Sequence, residues 1–178
     1  NAAGLADGVA PVVDELETAG KAAPTLVVFA TYYPDRSFAT DDYEEDYTLN
    51  RFFATSEIDT LIDAVESRYT TFARGDTSDQ SLRASRRHRA FGGFSMGATT
   101  TWDVFALRPQ YFYGYMPMAG ESWIGREEDA DSPRIAELVT AGVERAQYGP
   151  QDFRVLASVG SEDPALWDMT PQIDELRE

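Results

Sequence analysis

The stretch Gly93-Phe94-Ser95-Met96-Gly97 constrains this chain more than any other. Apolar residues lead into it through Ala90 and Phe91, and a helix-compatible run from Ala98 to Leu107 follows. A serine in that setting sits on a sharp turn from strand to helix, its hydroxyl presented at the carboxyl edge of a parallel sheet. The flanking glycines have a physical reason. The serine backbone takes a strained conformation, and side chains two residues either way would meet the neighbouring strand and helix. The backbone N–H of Met96 then points to where an oxyanion develops. Chance alone puts such a pentapeptide in roughly 5% of chains this long, so its setting carries the reading.

The rest of the chain reads as alternating helices and strands. Residues 5–20 spell a helix with Pro11 in its first turn, Val12, Val13 and Leu16 on an apolar face, and Gly20 as its stop. Thr25-Leu-Val-Val-Phe-Ala30 is a continuous apolar run, the pattern of a strand buried on both faces of a parallel sheet. Asp41-Asp-Tyr-Glu-Glu-Asp46 reads as a solvated helix start. A metal site would need spaced backbone ligands. Ser56-Glu-Ile-Asp59 has the form of a capping box, with Ile58, Leu61, Ile62 and Val65 at helical spacing and an end near Tyr69.

Residues 74–85 are polar and turn-rich, a surface loop, and Arg86-Arg-His-Arg89 reads as a solvated basic entry to the strand before Ser95. Met96 to Leu107 is a helix closed by Pro109, and Tyr111 to Met118 is the next strand. A helix starts at Ser132-Pro133, a strand runs from Phe153 to Val159, and a last helix begins near Thr170-Pro171. The alternation predicts an α/β fold, a mostly parallel sheet flanked by helices, in one domain over residues 1–178.

Composition removes several function classes. No run approaches 18 consecutive apolar residues, so no membrane span is expected. The net charge is −16, with 31 acidic against 15 basic residues. Such a surface repels phosphate and argues against nucleic acid as a partner; the acidity itself reads as solubility. With no cysteine there is no disulfide, thiolate metal site or thiol nucleophile. No signal peptide is visible, but Asn1 is not a natural start, so a leader removed or left out is compatible with the sequence.

Ser95 follows one strand, and Asp163 follows a strand two further on. That chain order, serine before acid, suits an acid that orients an imidazolium. An ordinary turn aspartate before Pro164 is the competing reading of Asp163, and Glu162 is the competing acid. A serine esterase also needs an imidazole to take the serine proton. The one histidine, His88, lies seven residues before Ser95, roughly 20 Å down the strand at ~3.3 Å per residue. It cannot be the base. A His-Gly-Gly-Gly-type loop that would give a second oxyanion donor is also missing. Both gaps fall where such a domain would continue beyond Asn1 and Glu178, so the expectation is a partial domain, truncated at both ends.

Gly92-Gly-Phe-Ser-Met-Gly97 with Thr100-Thr-Trp102, then Met116-Pro-Met-Ala-Gly120, then Gly160-Ser-Glu-Asp163, resemble the esterase D-like family. Within it the likeness is to bacterial feruloyl esterases associated with xylan-degrading enzymes, and it runs over essentially the whole chain. The resemblance implies an α/β-hydrolase fold and hydrolysis of hydroxycinnamoyl esters on plant cell-wall polysaccharide. It implies Ser95 as nucleophile, Asp163 as triad acid and Met96 N–H as one oxyanion donor, with no metal or cofactor. It also implies secretion or a cell-surface location, and attached carbohydrate-active modules in the full protein. Ala98 departs from the family, whose members usually carry a second glycine there. Without a usable histidine the chain alone is expected to be inactive or nearly so.

Aromatic side chains at the carboxyl edge are candidates for stacking on a phenolic acyl group. Ser122 and Trp123 follow the strand after the elbow, and Tyr32 and Tyr33 follow the strand before it. Trp102 reads as core. Two other readings stay open: an acyltransferase or a thioester or siderophore esterase on the same fold, and a non-catalytic binding module.

Overall fold

The computed structural model describes residues 2–32 and 46–177. The chain divides into two compact units, Asn1–Phe38 and Ala39–Glu178.

The first unit is built on helix α1 (Ala2–Thr18). Its end follows from Gly20, whose φ of 68° lets the chain reverse. Lys21 N–H then reaches the Leu16 carbonyl at 2.8 Å, and Gly20 N–H the Glu17 carbonyl at 3.0 Å. Pro11 lies inside the helix instead of in its first turn. The apolar run Thr25–Ala30 forms no strand. It is irregular, and Leu26, Val27 and Val28 are 47%, 41% and 45% exposed. Apolar residues favour burial, but a strand exists only where another strand accepts its ladder, and no described residue supplies one.

The second unit begins with a continuous helical stretch. α2 (Tyr47–Phe52) passes through a π-turn (Phe53–Glu57) into α3 (Ile58–Glu66). Phe53, Ala54, Ile58 and Ile62 are buried in succession, which carries the helix through Ser56. Ser56 is therefore interior to the helix and not its cap. Asp46, expected to be solvated, is buried just before α2; residues 41–45 lie outside the described residues.

The segment expected to be a loop contains α4 (Asp79–Ser85), started by Ser78, whose hydroxyl accepts from Ser81 N–H at 3.3 Å. Three strands follow: β1 (Ala90–Phe94), β2 (Gly114–Met118) and the short β3 (Arg154–Val155). They pair in parallel in the order β1-β2-β3, and an isolated bridge joins Met118 to Ser158.

Helix α5 (Met96–Leu107) crosses from β1 to β2, and α6 (Ser132–Arg145) precedes β3. Asp131 caps α6 by accepting from Arg134 N–H at 3.1 Å. Right-handed crossovers in one direction along a sheet put both helices on one face. They meet closely, since a Cβ on Gly142 would stand 1.5 Å from the Ala106 carbonyl oxygen. Beneath them Tyr115 packs its ring against Phe105 at 4.8 Å and Trp102 is 1% exposed. The opposite side of the strands shows Phe94 and Leu156, each 67% exposed.

The basic cluster is not a solvated entry. Arg86 is buried, donating to the carbonyls of Pro109 (3.0 Å), Phe112 (2.6 Å) and Asp152. Arg89 donates to the Tyr111 carbonyl at 2.8 Å and to Glu66 Oε1 at 2.9 Å. A guanidinium carries five donors in a fixed fork, which is what a set of orphan loop carbonyls requires. These two side chains tie the amino edge of the sheet together, opposite Ser95.

The last helix, α7 (Leu166–Glu175), starts four residues before the expected Thr170-Pro171, with Pro171 inside it.

Candidate active site

Ser95 is the hinge between β1 and α5. Its φ of 56° and ψ of −118° lie in a region that side-chain-bearing residues rarely occupy. The surroundings hold it there. Ser95 N–H donates to the Met118 carbonyl at 2.9 Å, and the Ser95 carbonyl accepts from Ala98 N–H at 2.7 Å. Close approach fixes two glycines. A Cβ on Gly93 would stand 2.4 Å from the Gly97 carbonyl oxygen, and one on Gly120 would stand 2.8 Å from the Ser95 carbonyl oxygen. Gly97 differs from expectation: a Cβ there meets nothing within 4 Å. The motif's second glycine is not demanded by space around its own Cα. Ala98 is fully buried and faces Gly120, whose missing side chain leaves it room.

Ser95 itself is exposed at the carboxyl edge, where a substrate can reach it. Met96 opens α5, so its N–H is among the helix's unpaired first donors and lies at the positive end of the helix dipole. Its side chain is fixed from α2: the fully buried Asn50 donates Nδ2–H to Met96 Sδ at 3.2 Å. The Thr100 hydroxyl lies between the Met96 carbonyl, at 3.0 Å, and Asn50 Oδ1.

Asp163 lies in the loop after the Met118–Ser158 bridge, at the same carboxyl edge as Ser95. Its N–H donates to the Gly160 carbonyl at 3.1 Å, its Oδ1 accepts from Ala165 N–H at 2.9 Å, and its carbonyl accepts from Leu166 N–H at 3.0 Å. Asp163 thus closes the turn that leads into α7, whose first residue is Leu166. Glu162 is exposed. His88 is exposed before β1, stacked on Phe72 with ring centroids 3.4 Å apart.

The other expected site residues divide. Ser122 is 1% exposed and structural: its N–H donates to Gln172 Oε1 at 2.7 Å, and its hydroxyl accepts from Ile124 N–H at 3.3 Å. Trp123 is part-exposed, its indole N–H on Glu121 Oε1, its ring edge-on to Tyr47 at 5.7 Å and under the Arg126 guanidinium at 4.7 Å. Tyr32 belongs to the first unit, and Tyr33 lies outside the described residues.

Behind the elbow lies a buried polar cluster that the sequence motifs do not announce. Asp103, on α5, is fully buried; its Oδ1 accepts from Tyr47 O–H at 3.4 Å and lies 3.8 Å from Arg51. Its Oδ2 has no hydrogen-bond partner among the described residues. Burial pushes the Asp103 carboxyl up from 3.8 to about 7, against the pull of the Arg51 cation and the Tyr47 hydroxyl. Burial, and then the Asp103 charge, also raise the Tyr47 phenol. An aspartate set between Trp102 and Val104 in an apolar helix was the available signal.

Two clefts flank these residues. The larger, about 620 Å³ and mostly apolar, lies under Trp102, Phe105 and Met169 and includes neither Ser95 nor Asp163. The other, about 550 Å³, opens between the segment after Gly120 and the start of α7. No group of acidic or histidine side chains fit to hold a metal ion occurs among the described residues. No described helix is long and apolar enough to cross a membrane.

No family model matches the chain. It is 32% identical over 166 residues to endo-1,4-beta-xylanase Y of Acetivibrio thermocellus, covering 93% of this chain and 14% of that protein. Among solved structures it is similar to a feruloyl esterase module from Clostridium thermocellum, a mutant complexed with sinapinate. The identity is 35% and the TM-score 0.66, over 72% of this chain and 44% of that one. A second structure, of an FAE, gives 35% identity and a TM-score of 0.62, over 71% and 42%. The chain therefore spans less than half the length of these relatives. The architecture is of the α/β-hydrolase type, and the likeness to feruloyl esterase modules holds in both sequence and fold.

Proposed function

We infer that the chain carries the nucleophile-bearing part of a serine carboxylic-ester hydrolase of feruloyl esterase type, as one partial α/β-hydrolase domain over residues 1–178. The observation that carries the reading is the exposed Ser95, held at a φ of 56° between a parallel strand and a helix N-terminus. Strain of this kind persists only where the surroundings enforce it, and it gathers at reacting residues.

In the proposed chemistry, Ser95 Oγ attacks the ester carbonyl while an imidazole takes its proton. The Met96 N–H donates to the oxyanion that forms. Collapse breaks the bond to the alcohol, which leaves with the imidazole's proton, and water then releases the acid from acyl-Ser95 by the same steps. Asp163 is the acid that orients and stabilises the imidazolium. His88 sits before β1 and cannot serve as the base, and the sequence holds no second histidine. The chain by itself is expected to bind and to present its serine without turning over at a useful rate.

The names of the relatives point to hydroxycinnamoyl esters of plant cell-wall polysaccharide as the substrate class. Trp123 is the aromatic best placed for the phenolic ring. Secretion, and further carbohydrate-active modules in the intact protein, belong to the same proposal. The test is hydrolysis of methyl ferulate and methyl sinapate by the intact protein. Ser95→Ala should lower kcat on the order of 10⁴-fold or more. Unchanged turnover would overturn the reading.

A further inference from the structure

The cleft of about 550 Å³ beside the elbow holds a feature that the reaction at Ser95 does not use. Its far wall is Trp167, in the first turn of α7 and 80% exposed. It is bounded on another side by Trp123, proposed above for the phenolic ring and covered on one face by Arg126, so the room left for a further group lies toward Trp167. Both walls are tied to the proposed catalytic residues. Trp123 is three residues past Gly120, which packs on the Ser95 carbonyl, and Trp167 is four residues past Asp163. The cleft's position is thus set by the two turns that present the nucleophile and the acid.

Its chemistry narrows what can fill it. Among the described residues that line it, Glu121, Asp129, Asp131 and Asp168 stand against the one cation of Arg126, so an anionic ligand is repelled. An exposed indole offers a flat apolar face suited to a ring whose axial C–H groups point one way. Ionised carboxylates are acceptors only, matched to a ligand rich in hydroxyl donors. A neutral pyranose chain meets both demands at once.

We propose that the cleft between Trp123 and Trp167 is a glycan subsite, with Trp167 the platform on which a sugar ring of the ester-bearing polysaccharide stacks. The proposal rests on the esterase reading and extends it to the alcohol side of the substrate. Trp167 is a specificity-determining residue here, outside the chemistry at Ser95.

The test compares Trp167→Ala with wild type in the intact protein, on methyl ferulate and on a feruloylated xylo-oligosaccharide. Because Trp167 is exposed, the variant should fold normally, and equal rates on methyl ferulate will confirm it. The expected result is a loss of about tenfold in kcat/KM on the oligosaccharide ester alone. Calorimetric titration of ester-free xylohexaose should show the same loss of affinity. Equal kcat/KM of variant and wild type on both esters overturns the subsite, as does binding of choline in place of xylohexaose. If the wild type hydrolyses neither ester, the esterase reading fails, and the xylohexaose titration still decides the subsite.

Discussion

Asn50 Nδ2 donates to Met96 Sδ across 3.2 Å, joining a fully buried amide on α2 to the first residue of the elbow helix. Thioether sulfur is a weak acceptor, so the bond itself contributes little. The amide also meets the Thr100 hydroxyl, and it thereby fixes the side chain attached to the proposed oxyanion donor.

Asn50→Ala should therefore cost about 1–3 kcal/mol of stability, from the cavity and the broken buried contacts. In the intact protein it should lower kcat with KM little changed. Urea unfolding and steady-state kinetics check the two parts. A fall in stability with kcat intact would make Asn50 a packing residue only.

The two glycines of the motif should behave differently. Gly93→Ala drives a methyl group to within 2.4 Å of the Gly97 carbonyl oxygen, which is backbone and cannot turn aside. It should destabilise by about 3 kcal/mol or disrupt folding. Gly97→Ala meets open space and gains up to about 1 kcal/mol of helix propensity. Thermal unfolding of the pair checks this, and equal losses at the two positions would refute the packing described for the elbow.

Asp103 predicts a pH dependence. Its folded pKa, about 7, is raised above the ordinary 3.8, so the folded state binds the proton more tightly than the unfolded chain does. Its contribution to stability is fully present below about pH 4 and is lost as pH rises through about 7, on the order of 4 kcal/mol. Asp103→Asn removes this titration. The Tm of the variant relative to wild type should climb between pH 5 and pH 8; a constant difference would contradict a protonated, buried carboxyl.

The elbow was legible because its constraint is local: strand, glycine, serine and helix follow one another without a break from Ala90 to Leu107, and Met96–Leu107 is helical as the sequence predicts. The parallel pairing of β1, β2 and β3 was legible from the alternation of strands with helices. Errors came where partners are distant in sequence. Thr25–Ala30 announces a wish for burial but not what would pair with it. Arg86 and Arg89 look like a solvated cluster because the carbonyls that bind them belong to Pro109, Tyr111, Phe112 and Asp152. Residues 78–85 looked like a loop because a short capped helix has too few turns for an apolar stripe. Ser122 looked available because it follows a strand, yet Gln172, fifty residues on, covers its backbone N–H. Trp167 carried no local sign, since nothing in its neighbours distinguishes a buried indole from an exposed one.

The most direct test of the central claim is covalent. The intact protein is treated with a fluorophosphonate ester, and the labelled residue is located by mass spectrometry of its peptides. One adduct is expected, on Ser95, absent from Ser95→Ala and much slower to form in Asp163→Ala. An intact, folded protein that takes no label at Ser95, or takes it equally well without Asp163, would contradict it.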